Sequence, residues 1–222
     1  MRDTRAALLI AGLILATAMP AAAQTQAWRD KVTAFAAENF KHPAWGFSHS
    51  QRDYALAKSL AAADHVSLDD DVIFAAAYLH DMAAFEAFSV PKKDHSDTAA
   101  EKIDLVLGGS DFPKAKLEAV REAIRNHMHY RDPVGPEARY LHDADALDWL
   151  GAIGVARLIG MTDRKGGKPT VPDMVKGIEN NMTIVPPRIV TPAGKAQIAP
   201  RLAEEKAFLD ALQRETKDLA TL

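Results

Sequence analysis

Apolar residues recur at helical spacing along most of the chain, and the strict alternation that marks half-buried strands is missing. The pattern predicts an all-α domain with six or seven helices, over residues 26–40, 48–64, 69–84, 96–108, 113–129, 137–160 and 200–219. Residues 161–199, with Gly166-Gly167 and several prolines, read as loop around one short helix near Val171 to Glu179. No internal repeat or low-complexity tract interrupts this plan.

Several apolar stripes carry polar residues where a core-facing side chain is expected. The second helix presents His49, Asp53, Leu56, Leu60 and Ala63 on one face, and the third presents Val72, Ile73, Ala76, Leu79, His80 and Ala83. The fifth presents Leu117, Val120, Ile124 and His127; the sixth presents Leu141, Asp145, Asp148, Ala152, Val155 and Ile159. A buried carboxylate without a partner is costly and tends to protonate, so Asp81 and Asp145 need a counter-charge. No arginine or lysine lies on these stripes, whereas histidines do. A divalent ion shared by His49, His80, Asp81 and Asp145 would neutralise both acids and leave positions open for water, the arrangement of a catalytic metal site.

Composition narrows the choice of ion. Cysteine is absent, which excludes thiolate zinc sites, cysteine nucleophiles, disulfides and a lipid-modified cysteine. Imidazole and carboxylate donors suit manganese, nickel, iron(II), zinc or magnesium. The formal net charge of -3 and the absence of a basic tract argue against a dedicated nucleic-acid surface. Residues 1–23 read as a secretory signal peptide: Arg2 and Arg5, an apolar run from Ala6 to Ala18, and the small residues Ala21-Ala22-Ala23. Cleavage before Gln24 would leave one domain over residues 24–222, secreted or periplasmic, near -4 in charge and without a membrane anchor.

The order His49, then His80-Asp81, then Asp145 within Asp143-Ala144-Asp145-Ala146-Leu147-Asp148 resembles the H, HD, D signature of HD-domain phosphohydrolases. His95 opening a helix, Ile124-Arg125-Asn126-His127 closing one, the run Asp143 to Arg157 and the stretch Thr191 to Arg214 are similar to a subgroup of small bacterial members. The resemblance covers about residues 48–215. It implies a helical bundle with the metal in a helix-lined pocket, and hydrolysis of a phosphate ester or anhydride in a small phosphorylated substrate. It also implies that His95 and His127 share the pocket with the metal-site and catalytic Asp81, as second-metal ligands or as substrate contacts and proton donors. Two positions depart from the pattern: Ala146 stands where the subgroup usually has Arg, and Ala84 where two-metal members carry Lys. Two other classes stay open, a two-iron oxygenase on the same scaffold and a non-catalytic metal-bound binding protein.

The remaining polar residues carry weaker expectations. Asp143 and Asp148 are expected to orient ligand histidines or to serve structure rather than to bind the ion. His42, His65, His129 and His142 lack the pattern and read as surface or loop residues. Lys92, Lys93 and Arg164-Lys165-Gly166-Gly167-Lys168 read as solvated basic loops able to close over an anion.

Overall fold

The computed structural model describes residues 21–222, with side chains from residue 27 onward, and among them there are helices and no strands. The predicted leader lies outside the described residues, except that the backbone of Ala21 to Ala23 opens the first helix. The order is α1 (Ala21–Asn39), α2 (Phe47–Ala63), α3 (Asp70–Leu79), α4 (His95–Lys102), α5 (Asp104–Leu107), α6 (Leu117–Arg125), α7 (Pro136–Leu147), α8 (Gly151–Ile159), α9 (Val171–Ile184) and α10 (Pro192–Glu215). No described helix is long and apolar enough to cross a membrane.

Helix α3 is the centre of the bundle because it is apolar all round: every residue from Val72 to Leu79 is buried. Its start is fixed by Asp69, whose side chain accepts from the amides of Asp71 and Val72. Acidic Asp70 and Asp71 in the first turn complement the helix dipole and are held by Arg29 and Lys116. Around it pack α1, α2, α6 and α7. From α1 and the residue that follows it, Trp28, Val32, Ala36 and Phe40 are buried at four-residue spacing, and Trp28 meets Phe74 and Phe112 edge-on.

A second, smaller apolar cluster joins α8, α9 and α10 through Val155, Leu158, Val175, Ile178 and Leu209. A cavity opens at the seam between the two clusters.

Three expectations from the sequence need correction. The helix expected over 137–160 is two helices, because the chain turns at Asp148–Leu150 and Gly151 takes φ +74°, a left-handed conformation suited to glycine. A β-carbon at Gly151 would also lie 2.7 Å from Glu204 Oε2. The stretch 161–199 is not mainly loop: α9 runs to Ile184 and α10 starts at Pro192. Thr170 and Asp173 close a capping box on α9, and Thr191 caps α10 by accepting from the Gly194 amide. The helix expected over 113–129 stops at Arg125, so His127 lies just beyond its end.

Glu205 is fully buried on α10 against Gly154, and burial pushes its carboxyl up to about 7 from an ordinary 4.5. The folded protein therefore keeps a proton that the unfolded chain releases, and this contribution to stability is present below pH 4.5 and lost as pH rises towards 7. Glu205→Gln cannot titrate, so it is expected to gain on the order of 2 kcal/mol on the native protein between pH 5 and pH 8. Denaturant melts of both proteins at the two pH values check it; parallel pH dependence would show that Glu205 is ionised in the fold.

Candidate metal centre

Five elements deliver the polar cluster. The first two turns of α2 supply His49 and Asp53, the end of α3 supplies His80 and Asp81, α7 supplies Asp145, α4 begins at His95, and the turn after α6 supplies His127. His80 closes α3, with its amide bonded to the Ala76 carbonyl, and Asp81 then leads into a 3-10 turn, Met82–Ala84. The adjacent pair therefore points into the same space from a helix end.

The atoms converge closely. His49 Nε2 lies 3.2 Å from His80 Nε2, 3.3 Å from Asp145 Oδ1, 3.4 Å from Asp81 Oδ2 and 3.1 Å from Asp53 Oδ2. His80 Nε2 is 3.3 Å from Asp81 Oδ2 and 3.6 Å from Asp53 Oδ2. Adjacent donors bound to one ion at about 2.0–2.3 Å are themselves roughly 3–3.5 Å apart, which is the spacing seen here. The other carboxylate oxygen of Asp81 faces the opposite way, 3.4 Å from His95 Nε2 and 3.7 Å from His127 Nε2.

Proton placement decides what this cluster can hold. His80 Nδ1 donates to the Ala77 carbonyl at 2.9 Å and His127 Nδ1 to the Ile124 carbonyl at 2.6 Å; a carbonyl only accepts, so both protons sit on Nδ1. His49 Nδ1 donates to Asp148 Oδ2 at 2.8 Å. The Nε2 atom of each ring is then the one turned inward, towards carboxylates that only accept. Arg157 Nη2 also reaches the centre, 3.4 Å from His49 Nε2. Three buried carboxylates facing two inward Nε2 atoms call for positive charge at their centre, and the donor set fits a divalent cation.

The electrostatics show the same demand for positive charge among the carboxylates. Burial pushes the Asp53 carboxyl well above its ordinary value, outweighing the attraction of His49 and Arg157. Both Asp53 oxygens are buried without a hydrogen-bond partner. Burial would also raise Asp81, but His80, His127 and His49 outweigh it and hold the acid well below the carboxylate range. Burial lowers His80, whereas at His49 the neighbouring carboxylates, Asp53 foremost, overcome burial and raise it.

A second tier holds the first in place. Asp148 accepts from His49, from Arg52 Nε and Nη2 at 2.9 and 2.7 Å, and from Arg157 Nη1 at 2.9 Å. Arg157 Nε also donates to the Ala44 carbonyl at 2.6 Å, and its guanidinium lies 3.7 Å from the centre of the Trp149 ring. Asp143, by contrast, accepts from the amides of Val190 and Thr191 and from the Thr191 hydroxyl, tying α7 to the start of α10.

The sequence-predicted ligands His49, His80, Asp81 and Asp145 are brought together, and His95 and His127 stand on the far side of Asp81. Asp53 and Arg157 were missed as members of the site. Asp53 was visible as a polar interruption of its stripe; Arg157 gave no such signal. Of the four histidines expected at the surface, His142 is buried on α7, His129 lines the cavity and His42 stacks on Trp45, while His65 is exposed. Ala146 is buried inside α7, away from the cavity lining, while Ala84 lines it. Neither Lys92, Lys93 nor the 164–168 loop lines it, and Lys93 pairs with Glu101.

Residues 46–150 match the family model of the HD domain. The matched segment contains His49, Asp53, His80, Asp81, His95, His127 and Asp145. The HD-domain likeness extends to structure. A Lactobacillus plantarum protein superposes with TM-score 0.67 at 21% identity, covering 86% of this chain and 98% of its own. Bacillus subtilis YpgQ, solved with ADP, gives 0.64 at 18%, covering 84% and 97%. An HD-superfamily hydrolase of Bacillus thuringiensis gives 0.60 at 22%, covering 87% and 98%. No curated protein matches the chain.

Proposed function

We propose that this protein is an exported, metal-dependent hydrolase of the HD superfamily that cleaves a phosphate ester or anhydride in a small substrate. One observation carries the reading: imidazole Nε2 lone pairs and carboxylate oxygens meet at ligand-to-ligand distances in a buried centre that opens on a cavity. His49, His80, Asp81 and Asp145 would hold the ion, with Asp53 as a further donor. A divalent ion there supplies Lewis acidity, lowering the pKa of water and polarising a phosphoryl oxygen. Asp148, clamped by two arginines, fixes the tautomer and orientation of His49. His80 is fixed in the same way by the Ala77 carbonyl. Substrate class comes from the HD likeness and the site chemistry; the structurally similar YpgQ was solved in complex with ADP, a phosphate anhydride. Export rests on the leader-like residues 1–23.

Protein loaded with manganese or nickel is expected to release phosphate from one or more members of a phosphoester and anhydride panel, and chelation should abolish release. Inertness across the panel with every metal tested, in a protein that still binds metal, would favour a binding role instead.

The split of Asp81 between two sides favours a two-ion variant, with one carboxylate oxygen towards His49 and His80 and the other towards His95 and His127. Metal titration of the wild type should then reach two equivalents and that of His127→Ala one. A single equivalent in both, with a rate about 10²- to 10⁴-fold lower in the variant, would assign His127 to substrate contact and proton transfer.

A further inference from the structure

A cavity of about 380 Å³ begins at Asp81, His95 and Asp145 and runs along the seam between the two apolar clusters. It falls within the usual range for small-molecule sites, but its walls are unusual for a phosphate enzyme. Trp45, Met128, Trp149, Leu158, Met161 and Val185 make them apolar, and polar groups away from the metal end are confined to His129 and Asn181. Among the described residues no lysine or arginine lines this space. The guanidinium groups of Arg52 and Arg157 are near the centre but bound to Asp148.

Charge therefore separates the candidate substrates. Enzymes that hold a chain of phosphates normally match it with arginine or lysine donors as well as metal. Here a second or third phosphoryl group would leave the cation for a pocket of indole, thioether and aliphatic side chains, where an unpaired charge is costly. A single phosphoryl group can stay at the metal end while an apolar remainder fills the pocket. Trp149 is held for such a role, since Arg157 covers one of its faces and is itself anchored to Asp148 and Ala44.

We infer that the substrate is a phosphomonoester of an apolar alcohol or phenol, with its hydrocarbon part seated between Trp45 and Trp149. The inference rests on the hydrolase reading above. In the reaction, water forms the new bond to phosphorus, the bond from phosphorus to the ester oxygen breaks, and that oxygen leaves with a proton from water. The products are inorganic phosphate and the apolar alcohol or phenol.

Binding and turnover can be read separately on the manganese-loaded full chain. Two of the three tryptophans line the cavity, so 2-naphthylphosphonate, which cannot be hydrolysed, is expected to quench tryptophan fluorescence saturably, and ADP or glycerol phosphate is expected to do so only weakly. Trp149→Ala should weaken the phosphonate by about 10- to 100-fold with unchanged metal content, and Trp149→Phe should restore most of it. In turnover, 2-naphthyl phosphate should exceed ADP and glycerol phosphate in kcat/KM by about tenfold or more. Tighter binding or faster cleavage of ADP than of the naphthyl compounds would overturn the inference and leave the hydrolase reading standing. Unchanged phosphonate binding in Trp149→Ala would overturn it too. Phosphonate binding that depends on Trp149, without cleavage of any ester, would uphold the cavity's preference and remove the hydrolase reading.

Discussion

Asp81→Ala is expected to empty the metal centre and stop turnover while leaving the helices in place. The side chain faces His49 and His80 with one oxygen and His95 and His127 with the other, so its loss removes a donor from both sides at once. Metal affinity should fall by about 10²-fold or more, beyond what loss of an orienting partner costs, and kcat/KM should fall with it. The fold survives because α3 is held by its apolar circumference and by Asp69 at the opposite end, neither of which involves Asp81. Metal analysis after gel filtration, phosphate release and far-UV circular dichroism check the three parts. Full metal content together with full activity would remove the assignment of Asp81 to the centre.

Asp53→Val should move two properties in opposite directions. In metal-free protein the Asp53 carboxyl is buried without a hydrogen-bond partner and is pushed upward by burial. Replacing it with an apolar side chain of similar size is expected to stabilise the metal-free protein by on the order of 1–3 kcal/mol. In metal-loaded protein the same change removes a donor 3.1 Å from His49 Nε2, so metal affinity should fall by about tenfold or more. Thermal melts with and without manganese, paired with calorimetric titration, separate these effects. A variant that gains stability but binds metal as the wild type does would place Asp53 outside the coordination sphere.

The central features were legible because they are periodic. His49, His80 and Asp145 interrupt apolar stripes on amphipathic or buried helices, and such interruptions show in one sequence without knowledge of how helices pack. Asp53 sat on the same stripe, yet its meaning depends on atoms from α3 and α7, which sequence spacing does not bring together. Arg157 was hidden for a sharper reason. On one continuous helix it would fall about 120° away from Asp145, off the stripe. The turn at Asp148–Leu150 re-aims α8 and brings the guanidinium back onto Asp148. The start of α9 at Val171 was legible, but the start of α10 was obscured by Pro192, which looks like a breaker yet occupies the first turn, where a missing amide hydrogen costs nothing. His142 was misplaced because α7 is buried almost all round, a property of its central position rather than of its own pattern.

The turn after α7 also divides the molecule by tolerance to change. Residues that would hold the ion hang from the larger cluster, and the HD match ends at residue 150, one position before α8 begins. Part of the facing cavity wall, including Leu158 and Met161, comes from beyond that point, around a cluster with its own packing. Under the proposed function, substitutions there would reshape what the cavity accepts without disturbing the metal centre. Divergence among proteins with this fold should therefore concentrate in α8 and α9, and a library restricted to those helices is the economical route to new specificities.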